Sequence, residues 1–187
     1  MKIRSLALIL ALVPLAPLAP CADRAQAAAP KNTFQTDFVS QLDATEKKIV
    51  SLEGAVPQDK LTWRPAPGVR SIAEVYLHVA FGNYGIVKAV TGKEPPADVA
   101  FDGNRTKWDA RTTDKAEIKK ILEKSFDYVR SSAKGLSDAD LDKKVKFFGN
   151  EMTVRQGLLV VLNHEHEHLG QSIAYARMNK VVPPWSK

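Results

Sequence analysis

The stretch Thr153-Val-Arg-Gln-Gly-Leu-Leu-Val-Val-Leu-Asn-His-Glu-His-Glu-His-Leu-Gly-Gln171 holds both the fold signal and the chemistry of this chain. Thr153 followed three residues later by Gln156 is a capping box, the start signal of a helix. The helix is expected to run to about Met178. On it His164 and His168 are four residues apart, so their rings leave one face a single turn apart. That spacing suits two ligands of one metal ion. His166 points about 200° away from His164 and is expected to face solvent.

Three more helices follow from working outward. Ser71-Ile-Ala-Glu74 is a second cap signature, and a helix runs from it to about Val90, where Thr91-Gly92 and Pro95-Pro96 stop it. His78, the fourth histidine, lies mid-way along its apolar side. Upstream, Phe34, Phe38, Leu42, Thr45, Ile49 and Leu52 recur at helical spacing over Thr33 to Leu52, with Gly54 and Pro57 as the stop. Asp114-Lys-Ala-Glu117 caps the remaining helix, which carries Ile118, Leu122, Phe126 and Val129 and ends near Gly135. The loop from Gln58 to Arg70 holds Trp63-Arg-Pro-Ala-Pro-Gly68. Residues 93 to 112 read as an irregular connection. Residues 136 to 152 read as a polar one, with a short strand or turn at Val145 to Phe148. Four amphipathic helices without a sheet pattern imply an all-α fold, a four-helix bundle. The long second and third connections permit a non-sequential arrangement.

Two histidines on one helix and a third on a facing helix make a three-nitrogen metal site of His78, His164 and His168. Such a site keeps a position open for water or substrate. The competing reading is a surface His-Glu run with an unrelated His78. Gly82 and Gly85 share the face of His78, and Gly157 shares that of His164. A mid-helix glycine costs about 1 kcal/mol relative to Ala, so these three point to a pocket, to close helix packing, or to both. Glu74, one turn before His78, is a candidate to orient a ring or to serve as a fourth ligand, in competition with its capping role. Gln171 and Tyr175 continue the His164/His168 face and are candidates for supporting the ligands or touching substrate.

His164-Glu165-His166-Glu167-His168 also matches H-E-x-x-H, with Glu165 as general base. The nineteen residues after His168 contain no His, Asp or Glu to complete that site. Gln171 stands where the extended protease motif requires Gly.

The chain has 187 residues, 44% hydrophobic and 26% charged, which suits one folded domain. Lys2 and Arg4, then the apolar run Leu6 to Val13, then Ala25-Gln26-Ala27 have the layout of a signal peptide over residues 1–27. The mature chain is expected to be 28–187, exported to the periplasm or secreted, with no stable membrane span after cleavage. Pro20 directly before Cys21 argues against lipidation there. Residues 1–27 hold three of the 27 basic and one of the 21 acidic residues, leaving 24 against 20, a net +4. The basic residues that remain are dispersed, which argues against nucleic acid as a partner. Cys21 is the only cysteine, so the mature protein has neither disulfides nor a thiol nucleophile.

Two segments resemble the DinB-like superfamily of metal-binding helical proteins. One is Leu61-Thr-Trp-Arg-Pro-Ala-Pro-Gly-Val-Arg-Ser-Ile-Ala-Glu-Val-Tyr-Leu-His78; the other is His164-x-x-x-His168-Leu-Gly-Gln171. The resemblance spans about residues 34 to 178. It implies a bundle with an unusual helix order, often dimeric, that holds Zn, Ni or a similar divalent metal ion through His78, His164 and His168. Some relatives are thiol S-transferases or thiol-dependent isomerases, and export is a departure from those cytosolic enzymes. Two functions stay open. One is a metal-dependent hydrolase or thiol-type transferase acting on a small molecule. The other is a non-catalytic protein that binds a metal or small ligand.

Overall fold

Helix α2 (Ile72–Thr91) is buried along most of its length. This computed structural model describes residues 33–186. The signal peptide expected over residues 1–27 and Cys21 lie outside the described residues. Around α2 stand three other long helices, α1 (Thr33–Ala55), α4 (Lys115–Lys134) and α6 (Val154–Met178). Short helices α3 (Arg105–Asp109) and α5 (Asp138–Leu141) and a hairpin of β1 (Lys144–Phe147) and β2 (Asn150–Thr153) fill the connections. The fold is all-α, a four-helix bundle. Both α1 and α2 pack against both α4 and α6, so the first two long helices are diagonal rather than adjacent. Long connections make that order feasible, because α2 has to cross the bundle before α4 can pack between it and α1.

Each sequence cap closes as a hydrogen-bonded cap. Ser71 Oγ accepts from Glu74 N at 3.3 Å, while Glu74 Oε2 accepts from Ser71 N at 2.7 Å. Thr153 and Gln156 make the same reciprocal pair, and Asp114 accepts from Glu117 N at 2.8 Å. The Leu61–Trp63 loop satisfies two further orphan N–H groups of α2, with Trp63 O accepting from Ile72 N at 3.0 Å and Leu61 O from Ala73 N at 2.9 Å.

Three expectations need correction. Helix α1 continues to Ala55, through Gly54, rather than stopping near Leu52. Glu53 and Val56 are fully buried, so packing holds the last turn against the glycine penalty. Residues 93–112 are not wholly irregular, since Asn104 caps α3 by accepting from Lys107 N at 3.1 Å. The 136–152 segment gains α5 and a complete two-stranded hairpin, turned by Phe148 and Gly149, both at positive φ.

Helix packing uses small residues. A Cβ on Gly157 would come within 2.5 Å of Val90, so the start of α6 lies directly on the end of α2. Among the described residues no helix is long and apolar enough to cross a membrane.

Candidate metal centre

The crossing of α2 and α6 brings His78, His164 and His168 together. One ring nitrogen from each lies within 4.8 Å of the others. The ring centroids are 5.1 Å apart for His78 and His164, 4.8 Å for His78 and His168, and 4.5 Å for His164 and His168. His168 is buried and the other two are partly buried. Gly82 makes this geometry possible. A Cβ there would fall 2.1 Å from the His164 ring, so the imidazole occupies the space that any other residue would fill. The notches at Gly82 and Gly157 are thus filled by His164 and Val90, and the ring of Phe101 lies 3.5 Å from the Cβ position of Gly85. At these positions the glycines serve close packing rather than line an open pocket.

Two rings are fixed through their Nδ1 atoms. His78 Nδ1 is 3.3 Å from Asp109 Oδ1, and His168 Nδ1 is 2.8 Å from Gln171 Oε1. Both partners are acceptors, so each Nδ1 carries the proton and each Nε2 keeps a free lone pair. Gln171 Nε2 in turn donates to Tyr175 Oη at 2.9 Å, and Tyr175 packs edge-on against Trp63, with centroids 5.5 Å apart. His164 Nδ1 is buried with no hydrogen-bond partner among the described residues. An orphaned imidazole nitrogen between two oriented ones is a donor set that fits a divalent metal ion.

Electrostatics disfavours protonation of His164 and His168, and the neutral form is the one in which imidazole ligates. Burial lowers the His164 pKa to about 3, with the neighbouring His168 and His78 rings adding to the effect. Burial also lowers His168, partly offset by its hydrogen bond to Gln171. Burial pushes Asp109 up, but the hydrogen bonds from His78 and Arg70 outweigh it, and its pKa ends below the ordinary carboxylate value. Asp109 is therefore an anion, and its second oxygen accepts from Arg70 Nε at 2.8 Å.

Asp109 and Arg70 were not among the candidates read from sequence. The signal for Asp109 was faint: Asn104 with Lys107 three residues on, then Trp108. The indole N–H of Trp108 donates to Leu77 O at 2.9 Å, which anchors α3 to α2 and delivers Asp109 to His78.

The remaining candidates lie elsewhere. Glu74 has one carboxylate oxygen on Ser71 N and the other on Arg64 at 2.8 Å. His166 is exposed, with Nδ1 on Leu162 O at 2.8 Å and Nε2 3.3 Å from Thr45 on α1. Glu165, about 100° round α6 from His164, is fully buried, and the Asn83 amide of α2 lies 3.1 Å from its Oε1. Burial raises its pKa well above the ordinary value, so it sits in the core as a neutral acid. That placement removes it as a general base for the H-E-x-x-H reading.

A helical bundle with three convergent imidazoles from two of its helices defines the class. The family model for the DinB superfamily matches residues 41–172, and the chain belongs to that superfamily. It is similar in fold to a DinB-like protein from Bacillus cereus, at 19% identity and TM-score 0.65, over 81% of this chain and 93% of that one. A DinB-like protein from Bacillus subtilis is similar at 18% identity and TM-score 0.60, over 77% and 92%. No curated protein matches the sequence significantly.

Proposed function

We propose that this chain is an exported protein that holds one divalent metal ion, zinc, nickel or similar, on His78, His164 and His168. We further propose that it uses the ion on a small molecule, as a hydrolase or thiol-type transferase and as a homodimer. The observation that carries the reading is the convergence of three imidazoles from two helices, two of them aimed by Nδ1 hydrogen bonds and all in a setting that disfavours protonation of His164 and His168. An ion held by three neutral nitrogens supplies Lewis acidity and lowers the pKa of a water or thiol. The protein contributes the rest: Asp109 and Gln171 aim the rings, and Gly82 gives His164 its place.

One observation favours the non-catalytic alternative, a protein that binds a metal or small ligand without turnover. Asp109 and Glu74 are both committed to hydrogen bonds, and Glu165 is turned into the core, so no free carboxylate from this set stands ready as a base. Turnover assays on stripped and metal-restored protein separate the two.

The metal reading is tested by elemental analysis, then by calorimetric zinc titration of four alanine variants. His78→Ala, His164→Ala and His168→Ala are each expected to lose affinity by about a hundredfold or more, beyond the 10–100-fold typical of residues that only support ligands. His166→Ala is expected to bind as the wild type does. Equal losses in all four, or in none, overturn the assignment. Export predicts an N-terminus near Ala28 by mass spectrometry, against an intact Met1.

A further inference from the structure

The arginines of this protein are used very differently. Arg130 spends all three guanidinium nitrogens, on Asp43 at 2.9 Å, Asp127 at 2.6 Å and Glu46. Arg64 spends both terminal nitrogens, on Val69 O at 2.6 Å and Glu74 at 2.8 Å. Arg70 spends only Nε, on Asp109. Its two terminal nitrogens, with four N–H donors, have no protein partner among the described residues, and its side chain is 28% exposed.

Position makes that free fork informative. Arg70 immediately precedes Ser71, the cap of α2. It is one carboxylate away from His78, because Asp109 accepts from Arg70 with one oxygen and faces His78 Nδ1 with the other.

A charge count turns this into chemistry. With a divalent cation on three neutral imidazoles, the centre carries two positive charges. Asp109 removes one and Arg70 adds one. A cation beside a cation site in a half-buried place is unfavourable unless a further negative charge arrives. A guanidinium edge with two parallel N–H groups is the shape that matches a carboxylate or phosphate.

We propose that Arg70 recognises the ligand of this centre, and that the small molecule taken up beside the three histidines bears an oxyanion held by the terminal nitrogens of Arg70. The proposal rests on the metal reading above. It adds a substrate class, a carboxylate or phosphate compound rather than a neutral one.

The test uses zinc-loaded protein, with binding measured by calorimetry. Inorganic phosphate is the anionic probe, and imidazole is a neutral ligand for the same ion. Wild-type protein is expected to bind both. Arg70→Gln is expected to load zinc stoichiometrically, keep imidazole affinity, and lose phosphate affinity by about tenfold or more, as for loss of a charged hydrogen bond. Arg70→Lys keeps the charge without the fork and is expected to fall between. If Arg70→Gln weakens phosphate and imidazole equally, or no longer loads zinc, Arg70 is only a support for Asp109 and the proposal is overturned. Unchanged phosphate affinity in Arg70→Gln overturns it too, as does wild-type zinc protein that ignores phosphate. Wild-type protein that takes no zinc overturns the metal reading and this one with it. Zinc uptake with Arg70-independent phosphate binding sinks this one alone.

Discussion

Asp109 and Glu165 are both buried acids close in sequence or space to the histidines, and they do opposite things. Glu165 sits next to His164 in the chain, inside the most motif-like stretch of the sequence, yet it faces the core and is driven neutral by burial. Asp109 sits 31 residues after His78 in an unremarkable connection, yet it faces that ring and stays ionised because His78 and Arg70 both bond to it. Burial acts on both carboxyls alike. What separates them is the company: a guanidinium and an imidazole face the oxygens of Asp109, whereas Glu165 has a neutral amide on one oxygen and the carboxylate of Glu46 nearby, and that is decided by which elements pack together.

The largest expected effect is the one that breaks this contrast most directly. Asp109→Asn keeps the shape but removes the charge facing His78, and is expected to lower zinc affinity by about 10–100-fold. Glu165→Gln is expected to leave it within about threefold of wild type, since a neutral acid becomes a neutral amide buried in the core. Calorimetry on the two folded variants decides. A loss in Glu165→Gln as large as that in Asp109→Asn means that the buried acid of α6 also supports the site.

The two packed glycines sharpen the same division between site and core. A Cβ on Gly157 meets Val90, a stiff β-branched side chain, at 2.5 Å, so Gly157→Ala is expected to cost about 1–3 kcal/mol of stability by overpacking. A Cβ on Gly82 meets the end of a side chain, the His164 ring at 2.1 Å, which turns aside. Gly82→Ala is therefore expected to cost less stability than Gly157→Ala but to lower zinc affinity by about tenfold, the scale of a misplaced ligand. Urea unfolding and zinc titration on both proteins give the comparison, and it fails if Gly82→Ala binds zinc normally.

Glu53 carries the smallest effect and extends the contrast to α1. It is fully buried with no hydrogen-bond partner on either oxygen among the described residues, and burial raises its pKa to about 7 despite Lys115 and Lys119 nearby. In the unfolded chain it titrates near 4.5. Its folded form thus binds the proton more tightly, so the stability it confers is fully present below about pH 4.5 and is lost as pH rises through about 7. Wild-type stability is expected to fall by on the order of 1–2 kcal/mol between pH 5 and 8 from this group. Glu53→Gln should remove that part of the decline, read by denaturant unfolding at the two pH values. An unchanged slope means that Glu53 is ionised in the fold.

Local pattern was enough to read the four long helices, their three side-chain caps and the separation of His166 from the other histidines. Those features depend on contacts within a few residues: a Ser, Thr or Asp three before Glu or Gln, apolar residues at helical spacing, and a 100° turn per residue. Gln171 and Tyr175 were legible for the same reason, being three and seven residues from His168 on its own helix. Sequence could not place the end of α1, because Gly54 is a local stop that the packing of Val56 overrides. Nor could it see α3, whose five residues are too few for a periodic signal and whose anchor is one hydrogen bond from Trp108 to Leu77. Asp109 and Arg70 came only with the tertiary structure. Their roles depend on a connection folding back across α2, and that closure is set by long-range packing of Trp108, which no local pattern encodes.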